Sequence, residues 1–310
     1  MDLTIDDFYH VSLSRRMNIA MGAVWIWDAL ISCADEHDAF TGRRVTPIDA
    51  VYWISRITAG LTDLSSFMFA LIPFNTSEQC NNMARISTCF GALSTCMSTF
   101  LFLIRAISIY HDSRAMKYFL ATAWLLTAPF SFTAPFSFTA IRLEPTGLCV
   151  IATADKLGAM VSITVSIFDL IIFISVSFRV LAHSMYNDMT RWTTFFAASG
   201  LGPVPKAILR TGQLYVFPMI ILASVILVIE FFTSSDDIIL HQYKAVMLLA
   251  GITFLNVMVC RAFRSLRLQL QTDSSPVILQ MTTVYFRRMS ATGGEHSTGV
   301  DVGHLNDGHR

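Results

Sequence analysis

Between Arg85 and Arg105 the chain carries no charged side chain, running from Ile86-Ser87-Thr88-Cys89-Phe90 through to Phe102-Leu103-Ile104. An uncharged run of about twenty residues is what a helix needs to cross a bilayer at about 1.5 Å per residue. Cys80 stands just before one end of this run and Arg105 at the other, with Tyr110 closing the stretch. If the run crosses a membrane, those two ends report on opposite compartments. Similar apolar runs recur along the whole chain. Only 14% of the 310 residues are charged and 54% are hydrophobic. Soluble domains carry about 25% charged residues, so the composition is that of an integral membrane protein.

The runs predict an all-α bundle of seven transmembrane helices. The expected spans are 17–33, 48–72, 83–109, 116–141, 157–180, 212–232 and 243–262, together a membrane domain over 17–270. A short polar segment, 1–16, precedes them. The tail, 271–310, is rich in Gly, Ser, Thr, Asp and His and has the composition of a flexible segment. The first span follows Arg15-Arg16 and ends in small residues, a layout that also mimics a cleavable signal peptide. Asp28 interrupts its apolar centre, which favours a retained helix. The fourth span holds a tandem repeat, Ala128-Pro-Phe-Ser-Phe-Thr133 followed by Ala134-Pro-Phe-Ser-Phe-Thr139. Its two prolines predict a bent helix whose freed carbonyls find Ser or Thr partners.

Seven spans divide the connections into two sets. Leaving Arg56 aside, fifteen Lys and Arg residues fall in the 1–2, 3–4 and 5–6 connections and the tail, against six in the other set. The positive-inside rule then places the N-terminus outside and the tail in the cytoplasm. Arg105, Arg179, Arg191, Lys206 and Arg210 become a basic inner surface suited to a partner protein or to anionic lipid. The sequon Asn75-Thr76-Ser77 lies in an outward connection, as an N-glycosylation acceptor must.

Six cysteines are scattered singly, without a CxxC pair, so no zinc site is expected. Cys80 and Cys149 alone fall in outward connections, where the compartment is oxidising. A disulfide between them would pin the 4–5 loop to the top of the third helix; the alternative is two free thiols. Cys33, Cys89, Cys96 and Cys260 read as small packing residues, with Cys260 also a candidate for lipidation.

Five polar residues fall inside expected spans: Asp28, Arg56, Asp63, Asp169 and Asn256. Asp28 and Arg56 come to similar depth on antiparallel neighbours. A lone charge in hydrocarbon costs several kcal/mol, so a mutual ion pair is expected; a part in a conformational switch is the other reading. Asp63, Asp169 and Asn256 either line a polar cavity for a ligand or ion, or each bonds a Ser or Thr of a neighbouring helix. Histidines are absent from mid-span positions, and the seventh span has no lysine for a Schiff base. Neither a phosphate-binding Gly-rich loop nor GxSxG occurs. The reading is therefore not an enzyme, with no catalytic residue, cofactor or metal. A neutral chain without a basic aromatic stripe is not a nucleic-acid binder.

Cys80, Cys149 and Arg105 occupy landmarks of the G-protein-coupled receptor plan, which the chain resembles weakly. Arg105 is flanked by Ile104 and Ala106, not by an acidic and an aromatic residue, and no proline follows Asn256. A wider set of motifs spans most of 17–270: Trp27-Asp28-Ala29-Leu30, Ile54-Ser55-Arg56, Leu103-Ile104-Arg105-Ala106, Ile208-Leu209-Arg210-Thr211-Gly212-Gln213-Leu214-Tyr215 and Arg261-Ala262-Phe263-Arg264-Ser265-Leu266-Arg267. In these the chain resembles a large fungal, mainly basidiomycete, family of seven-helix membrane proteins of unestablished function. Ile57 and Thr211 depart from that pattern, which usually has a tyrosine and an acidic residue there. The expectation is a multi-pass, receptor-like protein of the plasma membrane. It would sense a small or lipid-like ligand and signal to a cytoplasmic protein. The alternatives are a transporter or channel using the intramembrane carboxylates, and a non-signalling scaffold.

Overall fold

The computed structural model describes residues 5–40, 46–110, 113–143, 147–154, 156–185 and 238–272, with single positions 221, 224, 225 and 228. Helix α1 is Ile5–Phe40, α2 Pro47–Leu71, α3 Ser77–Ile109 and α4 Arg114–Ser131. A four-residue helix, α5 (Ala134–Ser137), leads into strands β1 (Phe138–Leu143) and β2 (Leu148–Ala154). Helices α6 (Lys156–Met185) and α7 (Ile238–Thr272) follow. The chain separates into a unit Met1–Leu268 and a unit Gln269–Arg310. Of the second, only the last turn of α7 falls among the described residues.

Local chemistry sets most of these boundaries. Pro47 opens α2, where its missing N–H is harmless, and the Asp49 carboxylate accepts the Thr46 N–H at 2.8 Å. Thr76 Oγ1 accepts the Gln79 N–H, which starts α3 well before the expected residue 83. Helix α1 likewise reaches back through the segment expected to precede the membrane. Residues 5–16 contain neither Gly nor Pro, and Val11 and Ser14 are buried at helical spacing.

Two expectations are corrected here. The fourth helix does not run to residue 141, and the fold is not purely helical. Pro129 falls in the last turn of α4, and Pro135 opens a new short helix instead of continuing the old one. Beyond it, Phe138–Leu143 and Leu148–Ala154 are rich in β-branched residues and pair antiparallel into a hairpin. Gly147 makes the turn at φ +70°, a conformation that favours glycine. The expected sixth span, 212–232, lies outside the described residues apart from the four single positions, which are helical. Among the described residues, four segments are long and apolar enough to cross a membrane: Tyr9–His37, Ser77–Ile109, Arg114–Ser137 and His241–Ser265.

The burial pattern reverses that of a soluble bundle. Trp27, Leu30, Leu125, Leu126 and Phe178 are exposed, whereas Asp28, Arg56, Asp63, Asn256 and Arg264 are buried. Polar groups gather where helices meet, and apolar ones face outward, the arrangement suited to a hydrocarbon surround. Helix α3 turns a row of small residues inward, including Ala84, Ser87, Gly91, Ser94 and Ser98. That row lets neighbouring helices approach closely. At the α1–α2 crossing, a Cβ on Gly60 would stand 2.6 Å from the Trp25 ring. Apolar clusters close the two ends of the bundle. Phe69, Cys80, Phe138, Cys149 and Ile151 pack at the hairpin, and Leu103, Tyr110, Leu120, Phe168 and Ile172 pack at the far end of α3.

Candidate functional site

Away from the hairpin, three helices present charged side chains to one another. Asp28, Ser32 and Glu36 follow each other at intervals of four on α1 and so share a face. Tyr52 and Arg56 are similarly spaced on α2, and Arg261 and Arg264 sit three apart on α7. Asp28 Oδ2 lies 3.2 Å from Arg56 Nη1, and Asp28 Oδ1 lies 2.6 Å from Arg261 Nε. Glu36 Oε1 meets Arg56 Nε and Arg264 Nη1, each at 3.0 Å, and accepts the Tyr52 hydroxyl at 2.6 Å. Arg264 Nη1 also donates to Tyr52 Oη at 3.0 Å, while Arg56 Nη2 donates to Ser32 Oγ.

Charge decides why this cluster is tolerated. Asp28, Glu36, Arg56 and Arg264 are nearly fully buried and balance one another, two against two. Arg261 brings the additional positive charge, and its side chain is 47% exposed. The excess is therefore the part that reaches out of the bundle. Each buried ion has several charge-assisted hydrogen bonds, the condition under which desolvation is offset. One turn further along, Arg267 pairs with Asp49 and lies over the Phe40 ring at 4.8 Å.

A second polar layer lies further toward the hairpin. Asn256 Nδ2 donates to the Ser55 carbonyl at 3.0 Å and to Ser55 Oγ at 2.8 Å. Ser55 and Ser98 hydroxyls are 2.8 Å apart, which draws α3 into the same layer. Thr253 donates to Asp63 Oδ1 at 2.8 Å, while Asp63 Oδ2 has no partner among the described residues. Neither carboxylate oxygen of Asp169, in α6, has one there either. The structure thus brings Asp28 and Arg56 into one cluster and Asp63 and Asn256 into the layer above it, with Asp169 apart on another helix.

At the hairpin end, Cys80 and Cys149 form a disulfide with their Cα atoms 5.6 Å apart. Cys33, Cys89, Cys96 and Cys260 are free. The bridge ties β2 to the first turn of α3, as expected. Asn75 is exposed beside it, its carbonyl accepting from Arg142 Nη1 at 3.1 Å. Gln242 of α7 accepts the Ile151 N–H at 2.9 Å, a second anchor for the hairpin. Beneath it, a half-open cavity of about 80 Å³ lies between α1, α2, α3, the hairpin and α7, walled by Phe69, Phe138, Ile151, Val246 and Leu249.

Of the expected inner basic residues, Arg105 is half-buried near the end of α3, and the Arg179 guanidinium lies 5.8 Å from the centre of the Tyr110 ring. Arg191, Lys206 and Arg210 lie outside the described residues. The candidate site residues of the sequence did not include Glu36, Tyr52, Arg261 and Arg264: Glu36 lies beyond the expected first span, 17–33, and Arg261 and Arg264 fall at or beyond the end of the last, 243–262. The interval of four joining Asp28 to Glu36 was the available signal. Among the described residues no group of His, Cys, Asp and Glu could hold a metal ion. The chain matches no known protein-family model, and no curated protein matches it in sequence.

Proposed function

We propose that this is a multi-pass membrane protein of receptor-like plan, in which a ligand at the hairpin end changes the packing of the far end. One observation carries the reading: three of the four helices that line the cavity, α1, α2 and α7, also hold the ionic cluster. Asn18, Thr62 and Gln242 border the cavity, and Asp28, Arg56 and Arg261 lie further along α1, α2 and α7. On α7, Gln242 and Arg261 are separated by nineteen residues, about 28 Å of helix. A molecule that shifts α7 against α1 at one end would load the contacts of Asp28 and Glu36 at the other. Buried ion clusters suit such coupling because their geometry is discrete: a displaced arginine loses its partner and stands unpaired.

In this proposal seven helices span the plasma membrane, with the hairpin, disulfide and Asn75 outside and the ionic cluster toward the cytoplasm. The excess of Lys and Arg on the inner connections supports that orientation. Arg105, Arg179, Arg191, Lys206 and Arg210 are then the surface offered to a cytoplasmic signalling protein or to lipid. The sequence motifs at Trp27-Asp28, Ile54-Ser55-Arg56 and Arg261–Arg267 support kinship with the fungal seven-helix family.

A transport reading draws on the oxygens of Asp63 and Asp169 that have no partner among the described residues. Two assays on protein reconstituted in lipid separate the readings. Nucleotide exchange on an added heterotrimeric G protein, changed by Glu36→Gln and lost in Arg105→Ala, supports the receptor. A proton or cation flux abolished by Asp63→Asn supports transport. Silence in both leaves a scaffold and overturns the proposal.

A further inference from the structure

The cavity beneath the hairpin has a chemical character of its own. Among the described residues, six polar ones border it, Asn18, Thr62, Ser66, Ser87, Thr88 and Gln242, and no charged side chain does. An ion entering it would lose hydration without a counter-charge, so the site disfavours ions of either sign. The hydroxyls are already committed. Thr62 Oγ1 donates to the Thr58 carbonyl at 2.8 Å and Thr88 Oγ1 to the Ala84 carbonyl at 2.9 Å, while Ser66 and Ser87 bond each other at 2.8 Å.

The two amides are different. Asn18 is only 7% exposed, yet its side chain makes no hydrogen bond among the described residues. Gln242 is 5% exposed; its Oε1 is taken by the Ile151 N–H, and its Nε2 hydrogens have no partner among the described residues. Buried polar groups normally have partners, and an amide left open beside a cavity is a place for one to arrive. The hydroxyl hydrogens are spent on carbonyls and on one another, so the donors left at the cavity are the amide hydrogens, and what suits them is an acceptor brought by an occupant. An engineered apolar cavity of about 150 Å³ accepts benzene. A half-open one of about 80 Å³ holds a few heavy atoms and lets an apolar remainder extend through its mouth.

We infer that this cavity is a binding site for a small uncharged molecule that carries a hydrogen-bond acceptor, such as a carbonyl, on an apolar frame. The acceptor is held by the side-chain amides of Asn18 and Gln242. The inference deepens the receptor reading and rests on it for its consequence at the ionic cluster, but not for the binding itself. Because Gln242 spans the cavity and the hairpin, an occupant held by its Nε2 is joined through Oε1 to β2.

The test uses the full-length protein in lipid nanodiscs and three six-carbon probes: 2-hexanone, hexanoate and hexylammonium. Thermal unfolding is followed by tryptophan fluorescence over a range of concentrations. The expected result is a saturable rise in unfolding temperature with 2-hexanone and none with either ion. Asn18→Leu, which removes one amide, is expected to weaken the 2-hexanone response about tenfold, the effect of one hydrogen bond. Thr88→Phe, which fills the space from the wall of α3, should abolish it even if Asn18→Leu fails to fold. A response that does not saturate, that persists in Thr88→Phe, or that hexanoate or hexylammonium reproduces would overturn the inference. Saturable binding that never alters nucleotide exchange sinks the receptor reading and leaves the site. Exchange altered by Glu36→Gln without any saturable binding sinks the site alone.

Discussion

Asp28 accepts a hydrogen bond from Arg261 Nε at 2.6 Å, joining the first helix to α7 across 233 positions of sequence. The same carboxylate faces Arg56 on α2 with its other oxygen, at 3.2 Å. One side chain therefore ties three helices, and Glu36 repeats the arrangement two turns further along α1 through Arg56 and Arg264. Such sharing makes the cluster cooperative: removing one carboxylate takes a partner from more than one arginine and leaves the buried charges out of balance.

Asp28→Asn should consequently destabilise the protein by about 3–5 kcal/mol, the penalty of leaving a buried charge unpaired. Arg56→Met should lose a similar amount. The double variant Asp28→Asn with Arg56→Met should recover part of it, because the remaining Arg264 keeps Glu36. Chemical denaturation in detergent micelles reads all three. Strict additivity of the two losses would show that the residues do not act through each other.

Labelling with a thiol reagent after denaturation without reductant should modify four of the six cysteines, namely Cys33, Cys89, Cys96 and Cys260. With reductant all six should react. Replacing Cys80 and Cys149 by serine opens a link between residues 69 apart and should lower stability by about 2–5 kcal/mol. Mass spectrometry of the labelled chain checks the first outcome and thermal unfolding the second.

Gly60→Ala should cost about 1–3 kcal/mol, since the new methyl would meet the Trp25 ring 2.6 Å away and overpack the α1–α2 crossing. Trp25→Leu in the same chain should relieve much of that loss. Equal unfolding temperatures for Gly60→Ala and the parent would mean that the indole moves aside freely.

Asn256→Leu removes a donor that serves both the Ser55 carbonyl and the Ser55 hydroxyl. A loss of about 1–3 kcal/mol is expected, for the buried acceptors have no water to turn to. Asn256→Asp, nearly the same size, should be at least as damaging. It places a carboxylate against the Ser55 carbonyl, whereas a packing role alone would leave it mild.

Orientation has its own check. If the hairpin end is extracellular, glycosidase should shift the mobility of the expressed chain, and Asn75→Gln should remove the shift. The side chain is exposed. A reporter fused after Arg310 that proved extracellular would exclude the arrangement.

Much of this was legible in the residues alone. Long uncharged runs such as Ile86–Ile104 demand helices that satisfy their own backbone, whatever their neighbours are. The single cysteines of the 2–3 and 4–5 connections, and an acid and a base buried on adjacent helices, restrict their partners almost as strongly. Pro47 and Pro73 marked α2 nearly to the residue, because proline's effect on a helix is local. Other features are not local. Whether Phe138–Leu143 extends α4 or turns into a strand depends on the pairing partner Leu148–Ala154 and on Cys80 of another helix. Glu36, three residues past the expected end of the first span, becomes a buried ligand of two arginines only when α1 continues to Phe40 beside α2 and α7. Sequence determined that this chain would bury a few charges among apolar helices. Which arginine each carboxylate meets, and that two amides stay open beside a cavity, was decided by tertiary packing. Only the crossing of distant helices sets those distances.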